Sequence, residues 1–511
     1  MAKVLMILEV SRKQDFIFSA KALRENTARS ACISYVTDDK FFKVCNRRYR
    51  SSCPTAKEDL YNKEQNMVYA GGGHTILQFD GQTPEEAEAK AFLFAKTVSE
   101  TAMRDYDGLE LFAKQIPYKE AASPRENLLA LLLALENKKA LRPDAIRQTD
   151  FGIEKASAPR ELSGRQELSG MLPHPPIGYT YPTKFDELAG EDNFIAVVHI
   201  DGNGMGGRVS GIYEKEGSSS WPSCCKLLES FSFSIQEDYE NAFRSLCRML
   251  TAYAKDTSIP IRPVVLAGDD VCFVTAGSLG LTCADYMLKE LSRFSNREDG
   301  LSYTACAGVA LVHKKYPFFR AYQLSEELCS NAKKFSAAKD ENKRISAIDW
   351  HIEFGQLKDS LEDIRRDYIT EDGDWITLRP VASVVPEGCR VEAPRSFAYF
   401  REMSHILRKN ADGLARSKLK KLRNAIKQGE YEAEYYVHDN RIRSLLDKPF
   451  SAEHGENAVR VAFQMLTHRS GAQPTTLPKA LFQQFGEKKH CLVFDAIELM
   501  DHCVFFKEGE T

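Results

Sequence analysis

Phe194-Ile195-Ala196-Val197-Val198-His199-Ile200 is an apolar run that stops at Asp201-Gly202-Asn203-Gly204-Met205-Gly206-Gly207. Further along, Arg262-Pro263-Val264-Val265-Leu266 stops at Ala267-Gly268-Asp269-Asp270 and resumes as Val271-Cys272-Phe273-Val274. The first run reads as a buried β-strand, rich in β-branched residues and closed by glycines. The second reads as a hairpin whose tip is Gly268-Asp269-Asp270.

A carboxylate at a strand end and two at a hairpin tip are costly to bury without partners. Mg²⁺ or Mn²⁺ is the natural partner, because hard cations take oxygen ligands and keep waters for substrate phosphates. Two such ions about 3.5–4 Å apart activate a ribose hydroxyl and stabilise a leaving pyrophosphate. The glycines fit the same chemistry, since they let the backbone approach phosphates and turn N–H groups toward them. Asp and Gly are also ordinary turn residues, so either motif alone is weak. Together, each behind a hydrophobic strand with a long helix between, they point to a catalytic trio of Asp201, Asp269 and Asp270.

Working outward, the chain has 511 residues and a formal net charge of −3. That length provides several cores, and that charge gives no global basic field for nucleic acid. The 13 cysteines are scattered, with Cys224-Cys225 the one adjacent pair and no C-x-x-C. This argues against a zinc ribbon and for reduced thiols in a cytoplasmic protein. No run approaches the ~18 apolar residues of a membrane span, and the opening Met1 to Glu9 reads as a strand, not a leader.

Residues 4–10 read as a strand, and Ala20, Leu23 and Ala28 share a helix face after it. Met67 to Phe79 is again strand, glycine tip, strand, here with Gly73-His74 where the later hairpin carries Asp269-Asp270. A helix over 84–105 and a strand over 109–116 complete an order that repeats later, so an internal duplication is expected. Ser123-Pro124-Arg125-Glu126 opens a helix as a capping box. A Pro/Gly/Ser-rich stretch follows at 150–190. Leu228, Phe231, Ile235, Tyr239, Ala242, Leu246, Met249 and Tyr253 make one helical stripe. Arg416 to Arg423 is a basic amphipathic segment that either contacts RNA or a partner or is a solvated face.

Asp201-Gly202-Asn203-Gly204-Met205-Gly206, with Ala267-Gly268-Asp269-Asp270, resembles the catalytic palm of the large subunit of type III CRISPR complexes (the Cas-ten/Cmr-two family), itself related to GGDEF and class III nucleotide cyclases. The Ser11 to Ser30 region resembles the start of that family's first, non-catalytic palm. Ala307-Gly308-Val309-Ala310 and Ala332-Lys333 fall where the family has a strand and a phosphate-facing lysine. The resemblance implies an α+β fold with two ferredoxin-like (βαββαβ) palms: 1–122 non-catalytic, 123–190 a helical connector, 191–352 catalytic, and 353–511 a mainly helical C-terminal domain. It implies a nucleotidyltransferase or cyclase that makes cyclic oligonucleotides from ATP or another NTP in antiviral defence, using two Mg²⁺ or Mn²⁺ ions. Asp201, Asp269, Asp270 and the backbone carbonyl of Ile200 become metal ligands. Gly202, Asn203, Gly204, Met205, Gly206 and Gly268 cradle the triphosphate, and Lys333 neutralises it.

The pattern departs from the family in places. Asn203 stands where a second acid is usual, and Ala267 replaces a glycine. No HD nuclease segment or four-cysteine zinc site is visible, which suits a stand-alone relative without DNase activity. The competing reading is a non-catalytic palm-fold subunit that binds RNA or the protein subunits of an effector complex. A diguanylate cyclase ranks below both, because Gly268-Asp269-Asp270-Val271-Cys272 replaces Gly-Gly-Asp-Glu-Phe. The expected partners are therefore an NTP, RNA or effector-complex subunits, and a second copy of the chain, with no membrane.

Overall fold

A computed structural model of the chain describes residues 2–53, 59–141, 161–190, 192–215, 220–342, 344–355, 358, 360–409, 416–440 and 481–506. The expected connector and C-terminal segments lie partly outside them.

The first sheet contains β1 (Ala2–Ser11), β2 (Met67–Gly71), β3 (His74–Gly81) and β4 (Glu110–Pro117). The second contains β5 (Phe194–Gly202), β6 (Ile261–Ala267), β7 (Asp270–Ala276), β8 (Ala305–His313), β9 (Ser346–Ile352) and β10 (Val381–Val384). The first is ordered β2-β3-β1-β4, and the core of the second reads β8-β5-β7-β6. Both are the same antiparallel arrangement with the unit's first strand between its third and fourth. That is the βαββαβ order expected from the sequence, and it occurs twice.

The second unit goes further than the first. The helix Phe318–Lys339 crosses back from β8 and delivers β9 parallel to it. The near-continuous burial of β5 and β8 follows from cover on both faces. Neighbours along a strand point to opposite faces. A methyl on Gly280 would meet Ala196 and Val309, whereas one on Gly308 would lie 2.0 Å from the Ser325 carbonyl oxygen. The helix Gly280–Ser292 therefore covers one face, and the helix Phe318–Lys339 is seated against the other at Gly308.

The two units are packed together. Phe18 of the first lies against Phe318 and Tyr322 of the second, with ring centroids 5.4 and 4.3 Å apart. Trp221, at the start of the helix Trp221–Met249, donates from Nε1 to Gln78 Oε1 at 2.6 Å. The stripe from Leu228 to Leu246 is the buried face of that helix. The helix Pro124–Ala140 begins with both hydrogen bonds of its capping box in place.

The tail carries short strands beside its helices. β10 joins the edge of the second sheet, and Phe482–Phe485 pairs with Lys488–Cys491 in a separate hairpin. Arg379 anchors the tail. Its guanidinium is fully buried, 3.0 Å from Asp495, with a second ion pair to Glu498 and a hydrogen bond to the Trp350 carbonyl. The basic segment is the helix Arg416–Gln428, which buries Leu419, Leu422 and Ile426, leaves Arg416, Lys420, Lys421 and Lys427 exposed, and half-buries Arg423. Among the described residues no helix is long and apolar enough to cross a membrane.

Candidate active site

The aspartates meet because of strand register. Asp201, near the end of β5, is directly opposite Asp270, the first residue of β7. The β6–β7 hairpin closes between Ala267 and Asp270, with Gly268 at φ +66°. That left-handed conformation favours glycine and leaves Asp269 at the tip. The Gly268 N–H donates to Gln236 Oε1 at 2.7 Å, which pins the tip to the long helix. Gly202 is required by proximity, since a methyl there would lie 2.8 Å from Asp269 Oδ2.

Three carboxylates in one place repel one another. Burial first, then the charge of Asp201, pushes Asp269 up to about 6 and Asp270 up to about 7. Asp270 keeps part of its surface open, but its Oδ1 is buried with no hydrogen-bond partner among the described residues. His199 Nδ1 faces that oxygen at 3.7 Å, also without a partner, and burial holds this imidazole neutral. Beyond it, Glu326 is pushed up by burial and accepts from Gln14 Nε2 at 2.5 Å.

Lys333, from the helix Phe318–Lys339, reaches the same place. Its Nζ lies 2.6 Å from Asp201 Oδ2 and donates to the Gly202 carbonyl at 2.9 Å. The glycine turn then opens outward. Gly204 sits at φ +67° and caps the helix Met205–Tyr213, and methyls on Gly204, Gly206 and Gly207 would meet nothing within 4 Å. The backbone from Gly204 to Gly207 is thus approachable. Asn203 does something else: its N–H donates to the Thr304 carbonyl at 2.8 Å and its buried amide to the Ile345 carbonyl at 3.2 Å. It ties the turn to the strand beside it. Ile200 has a buried side chain, and its backbone sits in the ladder opposite Val271 and Ala307.

The donor set fits a hard divalent cation in chemistry. It offers carboxylate oxygens, one of them buried and unpartnered, with mutual repulsion that a cation would relieve. The set is not closed, however: among the described residues no three His, Cys, Asp or Glu groups are gathered as a ready ion site. The ammonium of Lys333 already neutralises Asp201, so an ion would have to draw the trio together.

The first unit brings its own tip to this region. Lys13 Nζ donates to the Gly72 carbonyl, and Lys13 and Asp270 interact electrostatically. A methyl on Gly71 would lie 3.3 Å from Ser232 Oγ on the long helix. Lys13 lies in the Ser11 to Ser30 stretch that resembles the first palm, but neither it nor His199, Gln236 and Glu326 was marked in the sequence as a neighbour of the aspartates. They come from separate elements, and only the packing places them together.

The family model of the second palm domain of Cas10/Cmr2 matches residues 194–343. This segment is a Cas10-like palm domain. The match spans β5 to the end of the helix carrying Lys333, so it holds all three aspartates. No curated protein matches the chain. Among solved structures, a Csm1-Csm4 cassette in complex with pppApApA aligns at 15% identity and TM-score 0.52, covering 98% of this chain and 69% of that one. Cassettes in complex with cA4 and cA3 align at 14% and 15% identity, each with TM-score 0.51 over 87% of this chain and 64% of theirs. At these identities the likeness is one of fold. The chain spans 54% of the matched chain in the apo cassette.

Proposed function

We propose that the chain is a divalent-metal-dependent nucleotidyltransferase whose palm domain joins ATP into cyclic oligoadenylates. The observation that carries this reading is Asp201 opposite Asp270 across β5 and β7, with Asp269 at the adjoining hairpin tip and an open glycine turn after β5. The matched cassettes, in complex with pppApApA, cA3 and cA4, support the choice of adenylate.

Asp201, Asp269 and Asp270, with the Ile200 carbonyl, would hold two Mg²⁺ or Mn²⁺ ions, which when bound supply charge neutralisation and an activated hydroxyl. The chain's own groups do the positioning. N–H groups of Gly204, Met205 and Gly206 face the phosphates, with Gly202 leaving room beside Asp269 and Gly268 keeping the tip narrow. Met205 starts the helix whose positive end lies there. Lys333 adds a charge that can shift from Asp201 to phosphate, and Asn203 keeps the turn in place. A ribose hydroxyl oxygen bonds to an α-phosphorus as its proton passes to solvent, the bond from that phosphorus to the bridging oxygen breaks, and pyrophosphate leaves with the electron pair. Positioning and charge stabilisation account for most of such catalysis. Its setting is antiviral defence, in the cytoplasm, with CRISPR effector-complex subunits, RNA and a second copy of the chain as candidate partners.

The test is incubation with each NTP and Mg²⁺ or Mn²⁺, read by mass spectrometry, with and without added RNA. A cyclic adenylate supports the reading and gives ring size. No product from any mixture moves the weight to a non-catalytic palm subunit.

A further inference from the structure

A second cavity, of about 180 Å³, lies away from the aspartates. The helix Leu23–Val36 of the first unit, the connector from Leu162 to Pro175, and the start of β6 meet there. Its charged lining is Arg24, Arg165 and Arg262, with His174 beside them, and no carboxylate lines it among the described residues. The nearby acids are already engaged. Glu25 accepts from the N–H groups of Leu162 and Ser163 at 2.9 and 3.0 Å and pairs with Arg29, and Glu167 pairs with Arg165 at 3.2 Å.

Arg262 is the least satisfied group, with its guanidinium 5.8 Å from the centroid of the Tyr181 ring. Its Nε is buried with no hydrogen-bond partner among the described residues, and its Nη1 makes only a 3.3 Å bond to the Pro182 carbonyl. Burial pushes its pKa down, with Arg24 adding to the effect and Tyr181 and Glu187 opposing it. Among the described residues Arg24 donates to the Ser163 carbonyl alone, at 3.1 Å. Two guanidiniums facing one cavity without a carboxylate are poorly compensated. A phosphate would satisfy both, because its oxygens match the planar guanidinium fork. The rest of the wall is apolar, with Leu168, Leu172 and Pro173.

We propose that this cavity binds a phosphorylated small molecule of nucleotide type, its phosphate between Arg24 and Arg262 and its body against Leu168, Leu172 and Pro173. The site is separate from the catalytic one. Arg262 pairs with Val274, near the far end of the hairpin from Asp269 and roughly 16 Å along the strand at ~3.3 Å per residue. Arg24 belongs to the first unit and Arg262 to the strand leading to the aspartates, so a ligand here joins the two.

The experiment is isothermal titration of the full chain with AMP, inorganic phosphate and adenosine, in EDTA. AMP is expected to saturate one site and adenosine not to bind. Arg262→Gln and Arg24→Gln should each weaken AMP by at least about tenfold, the loss of one charge-assisted hydrogen bond. Arg24 is exposed, so its variant keeps the fold even if loss of Arg262 does not. Inorganic phosphate binding with the same sensitivity supports the proposal and places recognition in the phosphate alone. Asp269→Asn with Asp270→Asn should leave AMP binding unchanged, which separates this site from the catalytic reading. Adenosine binding as tight as AMP, AMP affinity unaltered in both arginine variants, or no AMP binding by the wild type would overturn it.

Discussion

The two halves of the molecule share a strand order and differ at their hairpin tips. In the first, Gly72 and Gly73 turn the chain into His74, which packs near Tyr69 with ring centroids 5.0 Å apart. In the second, Gly268 turns it into Asp269 and Asp270, opposite Asp201. Burial pushes His74 down to about 4, so its ring is neutral, whereas burial pushes the two aspartates up toward neutrality against the pull of Lys333. The first tip is content as it stands, and the second is short of positive charge. The second half also has an extra crossover, the helix Phe318–Lys339, which brings Lys333 to the aspartates. One fold can thus hold a tip that packs and a tip that waits for a ligand.

The comparison breaks most visibly if the second tip is disarmed. Asp201→Asn should lower product formation by roughly 10²–10³-fold in a metal-dependent ATP assay, by analogy with removing one stabiliser of transition-state charge. An equivalent loss from His74→Gln would show that the first tip is not passive.

The crossover can be attacked separately. In Gly308→Ala the new methyl would sit 2.0 Å from the Ser325 carbonyl oxygen and 2.4 Å from the Cys329 nitrogen, both backbone atoms. A destabilisation of about 3 kcal/mol or more is expected, as for severe overpacking, and it is measured by urea titration. Lys333→Met should be milder in stability and cost about 10-fold in activity, because one flexible charge is lost while the aspartates remain. Comparing kcat with KM then shows whether Lys333 acts on bound phosphate or only on Asp201.

The smallest effect is the most diagnostic. In metal-free protein the tips should respond to acid in opposite directions. The aspartates have folded pKa values of about 6 and 7, above the ordinary 3.8, so the native state binds more protons and their contribution rises as pH falls from 7 toward 3.8. His74 has a folded value of about 4, below 6.5, so its contribution is lost as pH falls through that window. Thermal melts of Asp269→Asn with Asp270→Asn, and of His74→Gln, against pH should therefore change slope with opposite sign.

Much of this was legible in the chain. The apolar runs ending in glycine and aspartate locate β5, β6 and β7 of the second sheet, and the same pattern at Met67 to Phe79 announces the first. The duplication is visible because strand, turn and helix signals are local. What was hidden is what depends on packing. Asn203 reads as a substrate neighbour in sequence, yet its amide is spent on the Ile345 carbonyl. Gln236 and His199 sit inside a helix stripe and a strand, where nothing marks them as neighbours of the tip. The hairpin strands Phe482–Phe485 and Lys488–Cys491 are too polar and brief to stand out from a helical pattern.

The most direct test is the conversion of ATP, with Mn²⁺ present, by wild-type protein and by Asp269→Asn with Asp270→Asn. A cyclic adenylate from the wild type and none from the variant, with both proteins folded, is the expected result. Equal product from the two would contradict the assignment of the second tip as the catalytic one.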